Sequence, residues 1–417
     1  MTYIAVLGTT LVVMTLGLSG LIAVRSQAAA SNSLNNADDA RLYALAGIEF
    51  ARLQIAQNLT RNNWRTIYGN GAWATKQPIG VGNFSVSVAD PNGALNNNLY
   101  DPVIVTATGV KFAATHVSQV TLVPQPAPYT CLSAALTVNG AINLLFATVF
   151  GVNETLASNA SITTFDGTVA PNVLAVGSVS GGTYNGTVTT GIDPLTVPDN
   201  TAFNYYTTNG TAINIYSLGS QATLQNVVLS PASNPYGSTN SQGIYVINCQ
   251  GESIIVQQCR IVGTLVLLNA GSSSVVQGNV NFAPAVTGYP CLMVQGNITI
   301  QCLSATALQE SQDPATNFNP AGSNPPTTAT PYPWGSNNFN TTTTDSYPSV
   351  LAGLVYVSGN LTTVNSPAFN VLVVGGSLTA TNQMWLSYDP AYFNNPPPGF
   401  CTLPMVPSPG TWVQVAH

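Results

Sequence analysis

The first 24 residues, Met1 to Val24, contain no charged side chain, and Arg25 is the first charge in the chain. As a helix this run measures about 36 Å, enough to cross a bilayer. A secretory signal would show a basic leader, a shorter apolar core and a small-residue cleavage site in that order. This segment shows none of that order. The expectation is a chain that begins inside the membrane or has lost a leader. Helical periodicity then continues. From Ala40 to Leu59 the apolar residues Leu42, Leu45, Ile48, Ile55 and Leu59 recur at three- and four-residue steps, while Arg41, Glu49 and Arg52 lie largely off that stripe. Residues 1–62 therefore read as one long helix, or as two nearly continuous halves separated by the polar bridge Ser31 to Asp39.

Beyond the helix the chain is neutral and polar. The 417 residues carry 8 basic and 14 acidic side chains, a net charge of −6, and after Lys111 the only basic residue is Arg260. No basic groove is available there, so nucleic acid is excluded as a partner. No later stretch holds 18 consecutive apolar residues. Asn, Thr, Ser and Gly separated by Val, Ile and Leu suit many short strands joined by tight turns.

The strands fall into two groups. Asn83 to Ala89 alternates and ends at the turn signal Asp90-Pro91-Asn92-Gly93, and Val103 to Gly109 and Val117 to Val123 read as its partners. The Pro-rich run at 124–128 marks a boundary. Farther on, Val276, Val294, Val357 and Val374 each open a Val-x-Gly-polar-aliphatic piece, with glycines at 278, 296, 359 and 376. The steps are 18, 63 and 17 residues. Steps near 18 fit successive coils of a parallel β-helix, and the long step fits a Pro/Thr/Asn-rich surface insertion. The expected class is α+β and mostly β. Its parts are an N-terminal assembly or transmembrane helix (1–62), a small antiparallel β domain (63–125), a β-helix (126–302), the insertion (303–349), and final coils with a tail (350–417). A β-sandwich head is the alternative.

Six cysteines in an apparently exported chain favour disulfides. Cys249 with Cys259 and Cys291 with Cys302 are the near pairs, leaving Cys131 with Cys401; buried free thiols are the alternative. With no CxxC and two histidines, neither a zinc site nor any other metal is expected. No catalytic residue and no cofactor site is assigned. Asp166, Asp193 and Asp389 sit in turn contexts, Glu252 and Arg260 are placed to pair, and a histidine base is lacking. The chain is not expected to be an enzyme, and a β-helix acting on polysaccharides is the least favoured class.

The stretch Arg41-Leu-Tyr-Ala-Leu-Ala-Gly-Ile-Glu-Phe-Ala51 is similar to a segment of PilX-like minor pilins, with Leu45 in place of its first glutamate and Glu49 matching the second. Over residues 1–62 the chain resembles a type IV pilin-like protein, and the rest loosely resembles the large β heads carried by some of these. The resemblance implies a leader removed by a dedicated peptidase and a pool in the inner membrane. It also implies partnership with the pilus assembly machinery, and an extracellular filament of this chain alone or with other pilins. Major pilins of the family carry glutamate at the position of Ala5, so Ala5 points toward a minor or tip subunit. The residues expected to pack in the filament core are Met1, Tyr3, Ile4, Ala5, Val6, Leu7, Gly8, Leu11, Val12, Val13, Leu16, Gly17, Leu18, Gly20, Leu21, Ile22 and Val24. The small ones among them allow close approach. A single-helix anchor for a surface adhesin or glycan-binding module would use the same residues.

Overall fold

In the computed structural model, residues 2–58, 64–312, 316–318 and 342–415 are described. The chain divides into two units, Met1–Pro126 with Thr402–His417, and Ala127–Cys401.

The first unit pairs one helix with one sheet. Helix α1 (Thr2–Gln57) is unbroken through the polar bridge, which contains no proline and is almost wholly exposed. The expected continuation of the helix to residue 62, with Leu59 on its stripe, lies outside the described residues. The sheet is antiparallel: β1 (Gly71–Ile79), β2 (Gly82–Ala89), β3 (Val103–Lys111) and β4 (Ala114–Pro124), in that order. The strands Met405–Pro407 and Val413–Gln414 both pair with β4, so the tail closes this sheet rather than the larger one. Alternation sends Phe84, Val86 and Val88 of β2 and Val103, Val105 and Ala107 of β3 inward against the helix.

The second unit is built from parallel strands. Within one sheet of 22 described strands, all pairings are parallel, as a sandwich of hairpins would not give. Each strand pairs with a strand of the next rung: Ile244–Asn248 with Thr264–Ala270, then Pro290–Gly296, Val350–Val357 and Ala368–Val374. The next neighbour is Leu136–Val138, from the start of the unit, followed by Thr155–Ser158, Asn172–Ala175 and Val188–Thr190. The chain thus enters mid-stack, builds to one end, crosses to the other end at Thr211–Ile213, and builds back until its last rungs dock under its first. The crossing segment lies on the ladder's outer face, where Ala202, Phe203 and Tyr206 pack with Val246, Val266, Met293 and Val373. The Tyr356 hydroxyl donates to the Pro198 carbonyl at 2.8 Å. Both faces of these strands are therefore buried, which explains their unbroken apolar runs.

Three of the four glycines singled out in the sequence stack in a column. Gly359 N–H donates to Gly296 O at 3.1 Å, Gly376 N–H to Gly359 O at 2.9 Å, and Gly140 N–H to Gly376 O at 2.8 Å. A Cβ on Gly376 would sit 2.7 Å from the Gly359 carbonyl, so only glycine fits. The polar residue after the glycine has its own task. Asn297 Oδ1 accepts from Asn360 N–H at 2.8 Å, and Asn360 Oδ1 accepts from Ser377 N–H at 2.9 Å. Gly278 belongs elsewhere: it stands opposite Cys302, at a different bend.

The disulfide expectation is corrected. All six cysteines are free and buried. Cys249 and Cys259 lie on separate walls of one rung, as do Cys291 and Cys302, so nearness in sequence does not make them ladder neighbours. Cys131 packs with Leu132 and Phe400 in the outer apolar layer, and Cys401 is likewise a buried thiol. Burial pushes the thiols of Cys249 and Cys401 up to about 11 and that of Cys302 to about 12, and Cys131, Cys259 and Cys291 are pushed up strongly. The thiolate is the reactive form. An aromatic disulfide reagent at pH 8 is therefore expected to label none of them in the folded chain and all six in denaturant; a fast-reacting thiol in the folded chain contradicts the assignment.

Candidate functional site

The apolar half of α1 packs against none of the described residues of this chain. Ile4 is 81 % exposed and Met14 76 % exposed, and from Tyr3 to Val24 every side chain described is exposed. The helix is long and apolar enough to cross a membrane. Its polar side chains are turned onto their own backbone. Thr10 Oγ1 donates to Val6 O at 2.8 Å, Thr15 Oγ1 to Leu11 O at 3.0 Å, and Ser19 Oγ to Thr15 O at 2.6 Å. The hydroxyls are satisfied inside the helix, so its surface presents apolar groups.

Among the described residues, nothing crowds the glycines of this half. A Cβ on Gly8, Gly17 or Gly20 would meet nothing within 4 Å. In water a glycine costs about 1 kcal/mol of helix stability relative to alanine. Gly47, in the packed half, differs: a Cβ there would lie 2.9 Å from that of Ala107.

The packed half uses small residues. The buried stripe is Ala40, Ala44, Ile48, Ala51 and Ile55. Of the residues expected on it, Ile48 and Ile55 are in place, Leu45 is half-buried and Leu42 is exposed. Alanine faces the sheet because the backbones nearly touch: a Cβ on Gly109 would lie 2.0 Å from Ala40 O and 2.4 Å from Ala44 N. The Asp39–Lys111 ion pair ties the helix to the end of β3. Buried Arg65 pairs with Asp90 at 3.4 Å and donates to the carbonyls of Leu95 and Asp101. Burial lowers the Arg65 pKa, with Asp90 opposing the shift. Glu49 faces outward and pairs with Arg52 at 2.6 Å.

The acids beyond the small sheet take structural roles where their partners are seen. Asp389 Oδ1 accepts from Ala391 N–H at 2.9 Å, and Asp199 Oδ1 from Thr201 N–H at 2.8 Å. Glu252 is exposed, and the expected partner Arg260 is buried elsewhere: its Nη1 donates to Phe318 O at 2.6 Å and its guanidinium lies 4.4 Å over the Tyr347 ring. Beside it, buried Glu310 accepts from Phe318 N–H at 2.7 Å and from Asp345 N–H at 3.0 Å. The ends of the expected insertion are held by this cluster and by the antiparallel pair Ala307–Gln309 and Ser346–Pro348. Residues 313–315 and 319–341 of that insertion lie outside the described residues. Among the described residues, no group of His, Cys, Asp and Glu gathers to hold a metal.

No family model matches this chain, and no curated protein matches its sequence. Among solved structures it is similar to the competence-associated pilin ComZ from Thermus thermophilus, at 11 % identity over 91 % of this chain and 96 % of that chain, with a TM-score of 0.32. A TM-score of that size does not establish a common fold.

Proposed function

We propose that this chain is a non-enzymatic structural subunit of an extracellular, type IV pilus-like filament, related to PilX-like minor pilins. In this reading α1 polymerises with other copies or other pilins, after a stay in the inner membrane and with the help of an assembly machinery. The parallel rungs form a β-helix head carried outward. No cofactor and no nucleic acid takes part.

The observation that carries the proposal is a 56-residue helix with one half docked and one half bare. A bare apolar helix needs either lipid or other helices around it. A plain anchor explains the exposed Ile, Leu and Val. It tolerates Gly8, Gly17 and Gly20 without drawing any return from their small size. Small residues let helices approach closely, and that return exists only in an assembly. A photo-crosslinking residue at Leu16 tests the point in whole cells. A ladder of protein multimers is expected; crosslinks to lipid alone would favour the anchored adhesin.

A further inference from the structure

Each rung of the large unit bends between its walls, and one column of bends places a residue in the left-handed region. Along it stand Asn226 (φ 53°), Gln258 (44°), Gly278 (68°), Asn365 (67°) and Asn382 (69°), with Cys302, on the rung between Gly278 and Asn365, outside that region. Glycine and asparagine suit that region. On the rung after Asn382 the position falls to Phe146, at φ 53°. A bulky residue there is strained, and strain of this kind concentrates at functional sites. Core packing does not compensate it. The Phe146 ring is 62 % exposed, and it meets Phe165, itself exposed, edge to face with centroids 5.0 Å apart.

Phe146 borders an open groove of about 440 Å³. Successive rungs supply its lining: Leu303, then Asn365 and Ser366, then Asn382 and Gln383, then Phe146 and Thr148. Three steps of about 4.8 Å make it roughly 14 Å long. Among the described residues, none that lines it is charged. The neighbouring outer face continues the pattern, for Met384 and Val149 point inward and Trp385 and Phe150 outward. Those two rings stack at 4.0 Å with an interplanar angle of 14°.

We infer that this groove binds a neutral oligosaccharide. A pyranose presents apolar C–H faces, which suit exposed aromatic rings, and pairs of hydroxyls, which suit amides that both donate and accept. A charge-free lining offers an anionic or cationic sugar no partner for its charge. Amides repeated at rung spacing suit a ligand that is itself a repeating polymer. The groove lies within residues 127–401 and the bare helix within 2–57, so this inference stands or falls apart from the filament proposal.

The test is calorimetric titration of the full chain in detergent. The probes are neutral hexasaccharides of glucose, mannose, galactose and N-acetylglucosamine, an anionic hyaluronan hexasaccharide, and a neutral Thr/Asn-rich peptide. At least one neutral sugar is expected to bind saturably, with Phe146→Gly and Gln383→Ala each weakening it at least tenfold. Phe146→Gly is also expected to melt no lower than the parent, because it releases strain. Binding to none of the neutral sugars, tighter binding of the anionic sugar or the peptide, or a lowered melting temperature with binding retained in Phe146→Gly would each overturn the inference.

Discussion

Replacing Val12 with aspartate is expected to remove the chain from surface filaments while leaving its folded units unchanged. Val12 lies at the middle of the uncharged run and is 54 % exposed. In the bilayer, an aspartate at a helix centre costs about 3 kcal/mol, roughly a hundredfold in insertion. In a bundle of such helices the carboxylate would be buried without a partner, which is worse. The first basic residue, Arg25, is 13 positions on, about 20 Å along the helix. None of the described residues packs on this part of α1, so the melting temperature of detergent-solubilised protein should stay within about 2 °C of the parent. The readout is immunoblotting of sheared surface material against cell-bound protein. Unaltered export of Val12→Asp into filaments would contradict the role given to this helix.

Gly109→Val is expected to have the opposite signature, unfolding the first unit and sparing the apolar run. The close approach of α1 to β3 leaves no room for a Cβ, because the atoms it would meet are backbone atoms of Ala40 and Ala44. They belong to a helix held by Ile48, Ile55 and the Asp39–Lys111 pair, and cannot give way singly. Overpacking at a rigid site costs on the order of 3 kcal/mol or more. For a unit of this size that lowers its melting temperature by roughly 10–20 °C. Differential scanning calorimetry should show the transition of residues 127–401 in place and that of the first unit lowered. An unchanged first transition would mean that the helix does not dock on β3 as closely as this.

The sequence showed the bare half of α1 most clearly, because an uncharged 24-residue run reads the same whatever surrounds it. Strands β2, β3 and β4 were legible from their alternation, with one face packed and one face wet. β1 was not, since none of its side chains is buried and they carry no alternating pattern. The alanines of the docked stripe stand out less than its isoleucines, although Ala40 and Ala44 face the sheet at the close approach to Gly109. The glycine column was visible where successive rungs are successive in sequence, as at Gly359 and Gly376. Its continuation to Gly140 was hidden, because that ladder neighbour lies more than 200 residues away. The cysteines misled because composition argues for oxidation in export but does not say which wall of a rung each thiol faces. Phe146 gave no signal, since only the bend column shows that a left-handed position is occupied by phenylalanine.

Electron microscopy of sheared surface filaments, with mass spectrometry to identify their subunits, decides whether this chain is a filament subunit. Filaments that contain this chain are expected, with residues 2–24 packed helix against helix in the core and residues 127–401 outside. Surface filaments without the chain, and extraction of the protein solely as detergent-bound monomers, would contradict it.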